Sequence, residues 1–390
     1  MIDKKLRGAV AIAGVGQAGL GQAHGYTEME ILVQAAHRAV ADAGLTMQDI
    51  DGIATASVSA TMWAMPVIEH LGIKPTFIDS TMLGGSSFVA HLMPAIQALE
   101  SGQCNAVLVC YGSTQRTSTV GRAEIGNARR KLDPQPYEAP YHPLNPLSSY
   151  ALVAARHMHQ YGTRREHLAE VAVAARQWAQ LNPEATQRDP LTIEEVLSSR
   201  MVSDPLSVRD CCLVTDGAGA YVLVRADRAK DMKQKPVYVL GNSTAVWNRQ
   251  ISSMADLTIT AAQQSGRLAF EMAGLTPKDI DVVEVYDAFT INTILFLEDL
   301  GFCKKGEGGD FVSNGGIAPG GRLPVNTNGG GLSCIHPGMY GIFIMIEAVR
   351  QLRAACGDRQ IEGAEIALVH GNGGTLSSQS TAILGTQAAL

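Results

Sequence analysis

Cysteine is scarce in this sequence, and none precedes Cys104. The seven cysteines of the 390-residue chain are odd in number, and no two have the Cys-x-x-Cys spacing. This pattern excludes a disulfide framework and argues against a zinc site, because both need paired or regularly spaced cysteines. We therefore expect no metal site and a reducing, cytoplasmic location.

Long apolar runs and dense basic clusters are also missing. No apolar run approaches the roughly 20 residues that span a bilayer. With a net charge of −6 and no block of Lys and Arg, neither nucleic acid nor an anionic membrane is expected as a partner. The apolar run after Lys4, Lys5 and Arg7 is interrupted by Gly14 and Gly16, which predicts a strand and a turn rather than a signal peptide. The 46% of hydrophobic residues is enough for a large core in two domains or two fused halves.

The most distinctive stretch runs from Asn326 to Gly341 and reads N-T-N-G-G-G-L-S-C-I-H-P-G-M-Y-G. Its three consecutive glycines let the backbone take positive φ and approach another surface closely. His336 follows, with its backbone restricted by Pro337, and an apolar helical run from Ile342 to Leu352 comes next. An imidazole on such a turn suits acid–base chemistry on a small ligand. The alternative is an ordinary turn with a histidine that faces solvent.

Cys334 lies two residues before His336. On an extended segment the two side chains would point to the same side, which makes Cys334 a candidate thiol for nucleophilic chemistry. The alternative is an inert packing residue, because most buried cysteines are inert.

The chain begins as alternating strands and helices and then changes character. The apolar pattern predicts strands at 9–16, 53–57 and 106–111, and helices at 27–44 and 88–99. From Gly112 to about Asp204 the pattern is lost, and residues 133–146 contain five prolines. We expect this segment, 112–204, to form an inserted loop or lid domain that covers the mouth of the active site.

A repeat then shows that the chain contains two related halves. The stretch Ala43-Gly44-Leu45-Thr46-x-x-Asp49-Ile50-Asp51 recurs as Ala273-Gly274-Leu275-Thr276-x-x-Asp279-Ile280-Asp281, a constant offset of 273 − 43 = 230. Such an offset predicts two homologous α/β halves with mostly parallel sheets. In such folds the active site lies at the carboxyl ends of the strands.

The motifs together resemble those of the thiolase superfamily, in particular the sterol-carrier-protein-type thiolases and the thiolase-like lipid-transfer proteins. The resemblance rests on the duplicated halves and on four motifs, which are Val285-Tyr286-Asp287-Ala288-Phe289, Gly329-Gly330-Gly331 leading to His336-Pro337-Gly338, His370-Gly371-Asn372-Gly373-Gly374, and Thr215-Asp216-Gly217-Ala218-Gly219-Ala220. It implies the thiolase fold, with two duplicated α-β-α-β-α half-domains that share a five-layer core. It also implies a homodimer and coenzyme A as part of the substrate, with no bound cofactor. We place the N-terminal half at 1–111 and 205–250, the inserted domain at 112–204 and the C-terminal half at 251–390.

Departures from the family pattern concern the catalytic groups. The place of the family's nucleophilic Cys falls near Gly85, in a turn of Gly84, Gly85 and Ser86. Tyr286 stands where the family has an Asn or His, and His370 replaces the second family Cys, as in the sterol-carrier-protein type. Only His336 matches the standard catalytic pattern directly. The resemblance therefore implies His336, Tyr286 and His370 as catalytic groups, the 84–86 turn as an oxyanion site or as the place of a substitute nucleophile, and Asp287 and Cys334 as further candidates.

Without a cysteine near Gly85, we expect chemistry through an enolate rather than a covalent acyl-enzyme. This resembles the thiolase-like retro-aldolases of steroid side-chain degradation, which act with a small partner that contains an OB fold and a zinc ribbon. In those enzymes a second Tyr tends to stand where this chain has His336. Two alternatives stay open at this point, a conventional acetyl-CoA acyltransferase with a relocated nucleophile and a non-catalytic subunit that binds acyl-CoA or lipid.

Overall fold

The computed structural model describes residues 4–118 and 137–390. Its strands are β1 (Val10–Gly21), β2 (Gly52–Thr55), β3 (Phe77–Asp79), β4 (Ala106–Ser113), β5 (Met201–Ser203), β6 (Leu206–Ser207), β7 (Asp216–Arg225), β8 (Val237–Val246), β9 (Val282–Val285), β10 (Ile366–Gly373) and β11 (Ser378–Gly385). Its helices are α1 (Glu28–Ala43), α2 (Ala64–Leu71), α3 (Ser87–Ala90), α4 (Leu92–Glu100), α5 (Leu147–Tyr161), α6 (Arg165–Gln180), α7 (Ile193–Leu197), α8 (Ala226–Ala229), α9 (Ala262–Ala273), α10 (Thr290–Asp299), α11 (Gly308–Val312) and α12 (Gly341–Leu352).

Nine of the strands form a sheet whose order is close to a palindrome. The order is β3-β2-β4-β7-β1-β8-β11-β10-β9, and β1 and β8 meet at its centre. Outward from this centre, β7, β4 and β2 correspond to β11, β10 and β9. A parallel bridge between Val283 and Val325 lies beyond β9, at the position that β3 takes in the other half. This arrangement is that of two similar halves that meet at β1 and β8, as the repeat predicts.

The repeat of 230 residues is matched by repeated local structure. Helices α1 and α9 end at Gly44 and Gly274, which both take the left-handed conformation, with φ of 78° and 67°. A residue with a Cβ would be strained in that conformation, so glycine is favoured at both ends. A short 3-10 turn follows each helix end, and β2 or β9 begins after it. In this turn the Asp49 or Asp279 carboxylate accepts the backbone N–H of Thr46 or Thr276. Identical sequence therefore specifies the same helix end, turn and strand start twice.

The prediction of mostly parallel sheets is wrong. Among the eight neighbouring pairs of the nine-stranded sheet, only β2–β3, β2–β4 and β9–β10 are parallel. The antiparallel pairs arise because β7 and β11 each lie between strands of the opposite direction and β1 runs antiparallel to β8. A crossover helix makes successive strands parallel, so the βα alternation predicted only the outer strands of each half correctly.

The segment predicted as an insertion packs against the glycine stretch. Trp178 of α6 donates its indole N–H to the Ile317 carbonyl at 3.0 Å, and the Asn182 amide donates to the Asn328 carbonyl at 2.9 Å. Pro134 and Pro136 lie outside the described residues. The described part of the segment thus lies on the side of the molecule that carries His336. The boundaries of the halves and of the insertion remain predictions, and β8 pairs mainly with β11 of the C-terminal half.

In the part of the chain that the structure describes, no helix is long and apolar enough to cross a membrane.

Candidate active site

The glycine stretch is held by Asp287, the residue after Tyr286. One turn of π-helix, Gly330–Cys334, follows Gly329, whose φ is 101°. The buried Asp287 carboxylate accepts the N–H of Gly331 at 2.6 Å and that of Leu332 at 3.3 Å. A Cβ on Gly330 would overlap this carboxylate, so the close approach requires glycine. Burial raises the pKa of Asp287 to about 7, against the lowering effect of the two N–H groups. Asp287 therefore positions the turn that leads to His336.

His336 lies in a buried pocket between two aromatic rings. Its ring meets Tyr286 edge to face, with 5.4 Å between centroids, and stacks on Tyr340 at 5.9 Å. The backbone N–H of His336 donates to the Thr215 hydroxyl at 2.9 Å, which fixes the main chain. The imidazole Nε2 is buried and has no hydrogen-bond partner among the described residues. Burial lowers the pKa of His336 to about 4, so the imidazole is neutral at neutral pH. An unpaired, neutral ring nitrogen in a buried pocket is free to accept a proton from a ligand.

Tyr286 follows β9 and lies across from His336. Its hydroxyl donates to the Gly338 carbonyl at 3.2 Å and accepts the N–H of Tyr340 at 3.3 Å. Burial raises the pKa of Tyr286 well above its ordinary value, so the phenol keeps its proton. Both hydrogen bonds are long for an O–H donor or acceptor, and a ligand oxygen or carbanion can compete for this proton.

The turn of Gly84, Gly85 and Ser86 packs directly on Tyr286. A Cβ on Gly85 would stand 2.6 Å from Tyr286 Cζ and 2.6 Å from the Asn372 carbonyl oxygen. No side chain fits at this position while Tyr286 is in place. The Ser86 hydroxyl bonds to Ser378 Oγ at 2.7 Å and to the Leu83 carbonyl at 3.2 Å. Neither partner is a base, so no group of the described structure activates Ser86 as a nucleophile.

The structure does not bring the His370 side chain into this group. His370 is fully buried in β10, where Nδ1 faces Thr381 Oγ1 and Nε2 faces Gln379 Oε1, each at 2.9 Å. The ring packs on Phe296 with 4.5 Å between centroids. Burial lowers the pKa of His370 to about 4. Both ring nitrogens are occupied, so the imidazole has no free site for a ligand.

Cys334 makes its contact outside this group. Ile335, between Cys334 and His336, is extended, with φ of −153° and ψ of 152°, and the shared side of the two side chains stays a prediction. The buried thiol instead receives the Asn182 amide at 3.5 Å. Burial and then the nearby Glu347 carboxylate raise the pKa of Cys334, which disfavours the thiolate.

Several site residues were not predicted from the sequence. Tyr340 and Thr215 contact His336, and Asn372 and Tyr150 lie beside the contact between Gly85 and Tyr286. A signal was present for Asn372, which belongs to the H-G-N-G-G motif. Tyr150 lies in the segment predicted as an insertion, and no local pattern marks it. Among residues 4–118 and 137–390, no three His, Cys, Asp or Glu side chains come together as metal ligands.

Comparisons with known proteins agree with this geometry. Residues 243–386 match the family model described as thiolase C-terminal domain-like. The chain is 37% identical over 377 residues to an acetyl-CoA acetyltransferase of Methanothermobacter thermautotrophicus, which covers 94% of this chain and 96% of that protein. The chain belongs to the thiolase superfamily.

Two further relatives of this thiolase-superfamily chain are named for a different reaction. It is 34% identical to the 17-hydroxy-3-oxo-4-pregnene-20-carboxyl-CoA lyase of Mycobacterium tuberculosis, over 96% of this chain and 98% of that protein. It is also similar to the solved structure of the Ltp2–ChsH2 (DUF35) aldolase, with a TM-score of 0.87 and 31% identity over 98% of both chains. The names of these relatives thus divide between acyl transfer and carbon–carbon cleavage.

Proposed function

We propose that this chain is a thiolase-like enzyme that makes or breaks a carbon–carbon bond beside the thioester of an acyl-CoA, by retro-aldol or Claisen-type chemistry, without a cysteine nucleophile. The observation that carries the proposal is the Tyr286 ring, which occupies the space where a side chain on Gly85 would lie. Acyl transfer through a thiolase acyl-enzyme needs a thiolate at that position. Carbon–carbon cleavage through an enolate needs only proton donors and acceptors.

The arrangement supports two proton-transfer roles. In the cleavage direction, neutral His336 accepts the proton of a substrate β-hydroxyl through its free Nε2 as the carbon–carbon bond breaks. The electron pair of that bond moves to the thioester and forms an enolate, and Tyr286 gives its proton to the α-carbon. Negative charge that develops on the substrate raises the pKa of the adjacent imidazole, which offsets the low pKa of the empty pocket. Backbone N–H groups of the Gly84–Gly85 turn, at the start of α3, face the developing oxyanion in this proposal.

Coenzyme A is expected as part of the substrate, and α6 is expected to form one wall of its channel. The support is the packing of α6 on the glycine stretch, where Gly329 leaves no room for a side chain against Ala179. A cytoplasmic location is expected from the free cysteines.

A homodimer through β3 is the assembly we propose. Strand β3 is one of the two end strands of the nine-stranded sheet, and Ile78 on it is 54% exposed. Met62, Met65 and Met82 are also exposed. An open edge strand with exposed apolar side chains is suited to pairing with a second copy.

We also propose a small partner protein with an OB fold and a zinc ribbon. Its support is the solved aldolase to which the chain is similar, which includes a DUF35 protein. The proposed function is tested by co-expression with proteins of this type and assay against a panel of β-hydroxy- and β-ketoacyl-CoA thioesters. Cleavage to a shorter acyl-CoA and a carbonyl product without free CoA consumption supports the aldolase reaction. CoA-dependent thiolysis of the β-ketoacyl-CoA thioesters, with no cleavage of the β-hydroxyacyl-CoA thioesters, would contradict it.

A further inference from the structure

A chain of buried hydrogen bonds links His370 to Tyr150, a residue that the mechanism above does not use. Asn372 Nδ2 donates to the Tyr150 hydroxyl, Gln379 Nε2 donates to Asn372 Oδ1, and His370 Nε2 faces Gln379 Oε1, each at 2.9 Å. Thr381 Oγ1 faces His370 Nδ1 at the same distance. These five residues are at most 2% exposed.

All donors in this chain of hydrogen bonds point the same way. Because Gln379 presents its carbonyl oxygen, the neutral imidazole of His370 carries its proton on Nε2 and accepts from Thr381 on Nδ1. Every donor therefore points from Thr381 toward Tyr150, an arrangement that strengthens each bond through polarisation. The Tyr150 oxygen is already an acceptor, so its own proton points away from the chain.

Unused polar groups lie at the end of this chain. Asn292 of α10 is fully buried, and neither its amide nitrogen nor its amide oxygen has a hydrogen bond within the described residues. Asn292 makes a polar contact with Tyr150 that lies outside hydrogen-bond geometry and lowers the pKa of the phenol, whereas burial raises it. Tyr150 stacks on Phe289, three residues after Tyr286, and a charge on Tyr150 would raise the pKa of Tyr286. Each unpaired buried polar group costs free energy that a bound ligand would recover.

We propose that Tyr150 and Asn292 form a subsite for an oxygen of the acyl group, and that His370 is a positioning residue that aims the Tyr150 proton through Gln379 and Asn372. The inference rests on the proposed function. Tyr150 donates to a carbonyl, hydroxyl or enolate oxygen of the substrate, and Asn292 offers its amide beside it. No covalent step is required.

Binding measurements test the subsite without turnover. Calorimetric titration with acetoacetyl-CoA and with CoA separates the acyl oxygens from the rest of the ligand. Tyr150→Phe should weaken acetoacetyl-CoA binding by about tenfold and leave CoA binding unchanged, because only the former has acyl oxygens. Tyr221→Phe is the matched control, since Tyr221 is also buried and donates to the Phe88 carbonyl, which is not part of the subsite. Equal affinities of wild type and Tyr150→Phe for acetoacetyl-CoA would overturn the proposal.

Stability of the free protein gives a second test that needs no ligand. Asn292→Leu replaces an unpaired amide with an apolar group of similar size, so the melting temperature should hold or rise. If Asn292 instead had a structural role, Asn292→Leu would lower the melting temperature by several degrees. Such a fall would remove Asn292 from the subsite.

The positioning role of His370 is tested with a variant that reverses the direction of the hydrogen bonds between residue 379 and Tyr150. In Gln379→Glu the carboxylate accepts from both His370 and Asn372, so Asn372 turns its oxygen to Tyr150 and takes up the phenol proton. In the aldolase assay Gln379→Glu should lower kcat or raise KM as much as Tyr150→Phe does. The double variant, Gln379→Glu with Tyr150→Phe, should lose no more kcat/KM than either single variant. Additive losses in the double variant would show that His370 and Gln379 do not act through Tyr150. If wild type has no aldolase activity, the proposed function fails, while the binding and stability results still decide the subsite.

Discussion

The ring of Tyr286 fills the space into which a side chain on Gly85 would project. A Cβ on Gly85 would stand 2.6 Å from Tyr286 Cζ, well inside the distance of a van der Waals contact. The two residues lie 201 positions apart in the sequence (286 − 85 = 201), and the identity of each residue accounts for the space that the other occupies. Gly85 is required because the tyrosine is large, and the tyrosine has room because no nucleophile stands at Gly85.

Gly85→Ala should destabilise the protein because its methyl group overlaps the Tyr286 ring. Overpacking of this kind costs about 1–3 kcal/mol in the free energy of unfolding. The loss should be smaller in the Tyr286→Ala background, where the ring is gone, although the Asn372 carbonyl still crowds the position. Urea unfolding of the four proteins measures the coupling. Equal losses in both backgrounds would show that Tyr286 does not fill this space.

His336→Ala and Tyr286→Phe should each lower kcat by roughly 10²- to 10⁴-fold, because each removes one proton-transfer group. Cys334→Ala should leave turnover nearly unchanged, since its thiol is buried beside Asn182 and its raised pKa disfavours the thiolate. Intact-mass spectrometry after mixing with an acyl-CoA should find no acyl group on the protein. An acyl group on Cys334, with loss of turnover in Cys334→Ala, would instead establish a thiolase with a relocated nucleophile.

The contribution of His336 and His370 to stability should fall as the pH falls from 7.5 to 5, and Asp287, whose pKa is raised to about 7, opposes this loss because the folded chain binds its proton in the same range. Burial lowers the pKa of both His336 and His370 from 6.5 to about 4. Between these values the unfolded chain binds a proton on each imidazole and the folded chain does not, so acid favours unfolding. Each imidazole should account for about 2 kcal/mol of the loss over this range. Urea unfolding at the two pH values checks this, and His336→Gln should show a shallower dependence than wild type.

The ion pair behind the glycine stretch should contribute strongly to stability. Arg359 holds the buried Glu347 carboxylate through two hydrogen bonds of 2.8 and 3.0 Å, and Thr327 Oγ1 lies 2.9 Å from the same carboxylate. Arg359→Met should cost about 3–5 kcal/mol, because it leaves Glu347 buried and unpaired. Arg267→Met, at the exposed pair with Glu271, is the control and should cost less than about 1 kcal/mol. A similar small loss for both variants would show that solvent or another group pairs Glu347.

The proposed dimer predicts that Ile78→Asp is monomeric. A carboxylate in place of the exposed Ile78 on β3 would be buried without a partner in the interface. Light scattering at micromolar concentration should give about twice the chain mass for wild type and the chain mass for the variant. The control is Val246→Asp, which places the same charge at an exposed site on β8 and should stay dimeric. A monomeric wild type would contradict the assembly.

How far the sequence predicts this fold depends on how local the determinants are. The helix that ends at Gly44 and its repeat at Gly274 follow from glycine in the left-handed region and from caps formed within four residues. The direction of the inner strands depends on connections that have no comparable local signal, and there the prediction of parallel pairing was wrong. Burial on both faces gives a strand such as β7 the same apolar character in either direction.

The sequence by itself determined the duplication, the absence of a cysteine near Gly85, and the candidates Tyr286 and His336, because these are properties of residue identity and spacing. Tertiary structure alone decided which candidates meet. It brought Tyr286 and His336 together edge to face and placed the Cys334 thiol beside Asn182. It also gave His370 two partners on a neighbouring strand and brought Tyr150 to Asn372 across 222 positions. Side-chain direction depends on strand pairing and on close contacts between distant segments, and these form only when the whole core packs.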